Sequence, residues 1–74
     1  MDVIDTVKKI LAERIDVSNL HETDLLSDLG LDSLDLVEVM LEIETALNVE
    51  FSSDEIVNLT TIKDVIDLIN KKIN

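Results

Sequence analysis

Cysteine, proline, tryptophan and tyrosine are absent from this 74-residue chain, and glycine, phenylalanine and histidine occur once each. Without cysteine there is no disulfide framework, no thiolate metal site, no cysteine nucleophile and no redox role. With Phe51 as the one aromatic, the core has to be built from Leu, Ile and Val, which favours helix-on-helix packing over a sheet of aromatic pairs. Positive charge is also scarce: six Lys and Arg face seventeen Asp and Glu, for a net charge of −11. No basic residue lies between Arg14 and Lys63, an interval that holds twelve acids. Such a field repels nucleic acid and anionic membranes and steers toward basic protein surfaces. No apolar run approaches membrane-spanning length, and Met1-Asp2-Val3-Ile4-Asp5 has none of the features of a signal or transit segment. A cytoplasmic chain without membrane insertion is the expectation.

What is present is apolar and periodic. Hydrophobic residues make up 46% of the chain and mean hydropathy is +0.24, which separates it from a disordered acidic tail. Its length sets one domain, 1–74, whose single core stabilises by no more than about 3–5 kcal/mol. Val3, Val7, Ile10, Leu11 and Ile15 recur at helical spacing behind Asp2, a suitable N-cap, and predict a first helix over residues 3–15. The stretch from Asp16 to Leu31 reads as a long polar connection, tied to the core by Leu20, Leu25, Leu26 and Leu29. A second helix is predicted over 33–47, a short third over 54–59, and a fourth opening at a Thr61-Ile62-Lys63-Asp64 capping box and running to Ile73. Ile62, Val65, Ile66, Ile69 and Ile73 form its core stripe. The fold class is therefore all-α, four helices, with a long connection after the first and a short third.

The chemistry concentrates at Asp28-Leu29-Gly30-Leu31-Asp32-Ser33-Leu34-Asp35. A turn glycine leads into a serine at the first turn of an acidic, amphipathic helix. That hydroxyl has no histidine base beside it, since His21 lies in the connection and no Gly-x-Ser-x-Gly surrounds Ser33, so a serine hydrolase does not fit. It is well placed to carry a phosphate, because the first backbone N–H groups and the positive dipole end favour an attached anion. Asp32 occupies the N-cap position and Asp35 can reach back to it. At 100° per residue, Asp35, Glu38, Glu42 and Thr45 share one face, while Leu36, Val39, Met40, Ile43, Ala46 and Leu47 share the core face. Leu34, Val37 and Leu41 remain as a surplus apolar strip edged by acids, either open to other proteins or packed under the long connection.

The Leu-Gly-Leu-Asp-Ser-Leu run, Glu42-Ile43-Glu44, and the Thr60-Thr61-Ile62 and Asp64-Val65-Ile66-Asp67-Leu68-Ile69 patterns resemble acyl carrier proteins of the dissociated, bacterial fatty-acid-synthesis type, over the whole chain. The resemblance implies a four-helix carrier fold, non-catalytic and monomeric, that holds acyl groups as thioesters on 4'-phosphopantetheine. The attachment serine would be Ser33, with Asp32 and Asp35 as motif aspartates. Partner-docking positions would be Leu34, Val37, Glu38, Leu41 and Glu44, joined by Asp54 and Glu55 of the third helix. Implied partners are a phosphopantetheinyl transferase that takes the arm from coenzyme A, and basic-surfaced ketosynthase, acyltransferase, reductase and dehydratase enzymes. The chain departs from the pattern in a shorter connection after the first helix, Ser52 where proline is common, and Thr45 and Val57 at commonly acidic positions.

An EF-hand calcium loop does not fit, because Leu25, Ser27 and Leu29 precede Gly30 where alternating oxygen ligands are needed, and no metal site is assigned. A polyketide carrier is the alternative within the family, with D-alanyl and peptidyl carriers further off. The crowded acids carry one thermodynamic expectation: mutual repulsion raises carboxylate pKa values in the folded state, so mild acidification stabilises the fold.

Overall fold

The computed structural model describes residues 3–73, so the Asp2 N-cap expected for the first helix lies outside the described residues. Helix α1 (Val3–Leu11) buries Val7 and Leu11 and packs Val3 and Ile10 against the same core. It stops four residues before the apolar periodicity does. Residues 12–14 form a turn in which the N–H groups of Arg14 and Ile15 both donate to the Leu11 carbonyl, at 2.9 Å. Ile15 still reaches the core from beyond the helix, so periodicity alone overextends α1.

The long connection is pinned at its far end. Leu25 and Thr61 form an isolated antiparallel bridge, with Leu26 N–H donating to Thr60 O (2.9 Å), Ile62 N–H to Asp24 O (3.1 Å) and Lys63 N–H to Glu22 O (2.8 Å). Leu26 and Leu31 are buried beneath it, and Leu20 and Leu29 pack alongside. Leu25, expected in the core, is instead exposed, because the bridge holds it through its backbone. Gly30 has φ +86° with nothing near the position of a Cβ, so its role is conformational: it supplies the left-handed turn that aims the chain into α2.

Helix α2 (Ser33–Leu47) has the predicted bounds and buries Val39, Met40 and Ile43, with Leu36 and Leu47 partly covered. Ala46 is exposed rather than core, because it sits at a shallow cleft with Asp5, Thr6, Lys9 and Ile10 of α1 that nothing fills. The helix ends at Asn48, whose φ of 56° makes a left-handed cap with its N–H on Glu44 O. Helix α3 (Ser53–Val57) is shorter than expected and starts one residue earlier; Ser52 and Glu55 cap it reciprocally. Helix α4 (Ile62–Ile73) opens at the expected box: Asp64 N–H donates to Thr61 Oγ1 (3.2 Å) and Thr61 N–H to Asp64 Oδ2 (3.1 Å). Ile62, Val65 and Ile69 are buried and Ile66 is partly covered, but Ile73 is exposed because the last turn runs past the core.

Among the described residues there are four helices and no strand beyond the bridge. α1 packs against α2 and α4, and α3 packs against α2. This leaves one end of α2, its first turn with Ser33, beside the gap between the connection and α3.

Candidate functional site

Ser33 is the first helical residue of α2 and is exposed. Its local geometry is set by Asp32, an extended N-cap whose Oδ1 accepts from Asp35 N–H at 2.9 Å, while Asp35 Oδ2 accepts from Asp32 N–H at 3.4 Å. The box satisfies the Asp35 amide and points the cap carboxylate down into the first turn. Ser33 and Leu34 therefore begin the helix, with the dipole's positive end at the serine hydroxyl. That hydroxyl makes no hydrogen bond among the described residues. A group attached through phosphate fits here on charge and on access.

A groove runs beside it. Leu26, Leu31, Leu36, Val37, Ile56 and Leu59 supply its apolar walls, and Asp32, Ser33, Val57 and Thr60 stand at its edge. Four separate segments meet there: the connection, α2, α3 and the α3–α4 link. An apolar chain tethered at Ser33 would find a hydrophobic surface within reach, so the residues present suit a fatty cargo as well as its anchor.

On α2 the surplus strip is open. Leu34 is 66% exposed, Leu41 51% and Val37 38%, and Val57 across the groove is 75% exposed. Leu34 and Leu41 stand clear of the long connection, while Val37 shares the groove wall with Leu26 and Leu31 of it. Large exposed side chains at helical spacing, next to a modifiable serine, have the character of a protein-binding patch.

The expected acidic partners of that strip are, for the most part, engaged within the chain. Arg14 donates from Nη2 to Glu38 Oε2 and from Nη1 to Glu42 Oε2, each at 3.0 Å. Its hydrogen bond to Glu38 pushes an already strongly basic guanidinium higher still, against some desolvation. Glu44 is partly buried and accepts from Phe51 N–H at 2.7 Å, fixing the α2–α3 link. Glu55 accepts from Ser52 N–H at 2.8 Å and pairs with Lys72 at 2.9 Å; the Ser52 amide first, then Lys72, hold its carboxyl below the ordinary range. Asp54 is exposed, and Asp35 is occupied in the box.

The sequence reading missed Arg14 and Lys72 as functional neighbours and missed the groove walls Leu26, Ile56 and Leu59. A signal for the first exists in hindsight: Glu38 and Glu42 stand at i, i+4, a spacing that one guanidinium fork spans, and Arg14 is the last cation before the acidic interval that holds them. Nothing in the sequence places the two together. Among the described residues no cluster of His, Asp and Glu has the arrangement to hold a metal ion. No helix of the described residues is long and apolar enough to cross a membrane.

Comparison with known proteins agrees with this geometry. A family model described as a phosphopantetheine attachment site matches residues 5–69. The acyl carrier protein of Coprothermobacter proteolyticus is 36% identical over 74 residues, covering 96% of this chain and 90% of the relative. That of Desulforapulum autotrophicum is 38% identical over 76 residues, covering 97% of this chain and 99% of the relative. The crystal structure of an acyl carrier protein from Thermotoga maritima superposes with a TM-score of 0.89 at 26% identity, covering 96% of this chain and 86% of that one.

Proposed function

This chain belongs to the acyl carrier protein family, and on that premise we propose that it carries acyl intermediates as thioesters on a 4'-phosphopantetheine arm joined to Ser33. The observation that carries the assignment to Ser33 is its exposed hydroxyl at the first residue of a capped, fifteen-residue helix, at the lip of an apolar groove. When bound, the arm supplies a terminal thiol, which a chain without cysteine otherwise lacks. The chain's own residues anchor, orient and shelter. Asp32 and Asp35 hold the first turn so that the serine oxygen projects outward, and Leu31, Leu36, Val37, Ile56 and Leu59 offer the cargo an apolar surface away from water.

Docking is assigned to α2 and α3. Leu34, Val37 and Leu41 form its apolar centre, and Asp54 its exposed acid, with Glu38, Glu44 and Glu55 on the margins. The partners proposed are a phosphopantetheinyl transferase and the basic-surfaced ketosynthase, acyltransferase, reductase and dehydratase of fatty-acid synthesis, acting on a monomeric carrier. The relatives are bacterial, in keeping with a dissociated carrier working in the cytoplasm. They give the polyketide, D-alanyl and peptidyl alternatives no support.

The test is mass spectrometry after incubation with coenzyme A and a phosphopantetheinyl transferase. The wild type should gain one arm and Ser33→Ala none, with stability changed by no more than about 0.5 kcal/mol because an exposed surface position is altered. Addition at another residue, or to the Ala variant, contradicts the assignment.

A further inference from the structure

Arg14 is the last cation before the acidic interval of the chain, and it is engaged by two carboxylates of the docking helix. Its two terminal nitrogens each contact a different glutamate, Glu38 and Glu42, at 3.0 Å, across 24 and 28 residues of chain. The carboxylates are only half exposed, and Arg14 itself is the most sheltered of the three, at 24%. The clamp is thus held by a packed stem, not by a loose surface side chain. Arg14 lies in the turn that follows α1, so the clamp joins the start of the long connection to α2.

Consider a partner's cation approaching Glu38. It meets a carboxylate that already has a guanidinium, attached to the same molecule and present at an effective concentration of the order of millimolar, far above that of a protein in solution. The incoming charge has to displace that group or settle for a partly neutralised field. Meanwhile Leu34, Val37 and Leu41, next to the clamp on the same helix, stay uncovered.

We infer that Arg14 is a specificity-determining residue of this carrier: by occupying Glu38 and Glu42 it weakens the charge-led part of docking to a basic partner and leaves more of the recognition to apolar contact with Leu34, Val37 and Leu41. The inference rests on the reading of α2 as the docking helix. It assigns Arg14 a role in KM, through association, and none in the transfer step.

The experiment uses the full chain, coenzyme A and a phosphopantetheinyl transferase that modifies the wild type; if none does, the carrier reading itself has failed and the clamp is not in question. KM and kcat for the apo carrier are measured at low and high salt for wild type, Arg14→Gln and Lys9→Gln. Lys9 is an exposed cation of α1 outside the clamp, and its loss changes net charge by the same amount. Arg14→Gln should lower KM about three- to tenfold at low salt with kcat unchanged, and the gain should vanish at about 0.5 M salt, where exposed charges are screened. Lys9→Gln should leave KM unchanged within the error of the measurement. A KM for Arg14→Gln that is unchanged or raised, or a gain matched by Lys9→Gln, overturns the proposal. Circular dichroism and Tm report folding. Should Arg14→Gln fail to fold, Arg14→Lys decides, since an ammonium holds one carboxylate as a point charge where the fork holds two. Its KM should fall about twofold at low salt, and no fall overturns the inference.

Discussion

Asp32 has a structural task and a proposed recognition task, and the two separate by substitution. As N-cap it needs an oxygen acceptor aimed at Asp35 N–H; facing a basic transferase it needs a negative charge. Asn caps as well as Asp, so Asp32→Asn should keep stability within a few tenths of a kcal/mol, whereas Asp32→Ala should cost about 1 kcal/mol. Both should slow arm addition if the charge is recognised. Tm and the modification rate, measured side by side, check it: equal rates for Asp32→Asn and wild type mean that Asp32 serves the helix only.

Helix ends decide more here than helix middles. The Thr61–Asp64 box does not only start α4; Asp64 Oδ2 also accepts from Thr60 N–H, at 3.0 Å, and so fixes the strand-like pair that binds the long connection. Leu26 N–H on Thr60 O and Ile62 N–H on Asp24 O depend on that position. Removing the carboxylate should therefore be felt at a distance. Asp64→Ala should cost about 1 kcal/mol, as for other cap losses, and should speed hydrogen exchange at Leu26 and Ile62 more than at Val39 or Met40. Uniform acceleration would mean global loosening instead. Since Leu26 and Thr60 both border the groove at Ser33, the same variant should weaken its hold on an apolar cargo.

For the molecule as a whole, two of the carboxylates have hydrogen-bonded partners that work against the repulsion expected among the acids. Repulsion was expected to raise their pKa values and make mild acid stabilising. The shifts that stand out run the other way: Ser18 side-chain and backbone donors hold the Asp16 carboxyl below its ordinary range, and the Ser52 amide and Lys72 do so for Glu55. A depressed folded pKa means that the unfolded chain binds protons first on acidification. Stability from these two groups is fully present above the ordinary carboxylate range, about pH 4–4.3, and is lost as pH falls through their lower folded values. Tm should therefore fall below about pH 4.3. A maximum near pH 5 would return the weight to repulsion. Lys72→Gln should shift the acid limb upward, because it removes one of the causes that hold Glu55 down.

Residue type and spacing alone specify the features that act within a turn or two of chain. The bounds of α2, the Asp32–Asp35 and Thr61–Asp64 boxes, the Gly30 turn and the placing of Ser33 at a helix start depend on contacts three or four residues apart, where residue type and spacing suffice. The opening of Leu34, Val37 and Leu41 to solvent was legible only as one of two possibilities. Tertiary structure decided it, because burial depends on where the connection travels: the bridge at Leu25 ties it to the start of α4, leaving Leu34 and Leu41 open and Val37 in the wall of the groove it shares with Leu26 and Leu31. The same holds for Arg14 on Glu38 and Glu42, for Lys72 on Glu55 and for a groove drawn from four segments. Each joins residues far apart in sequence, and their meeting is set by how helices cross and where α1 stops, which no local spacing encodes.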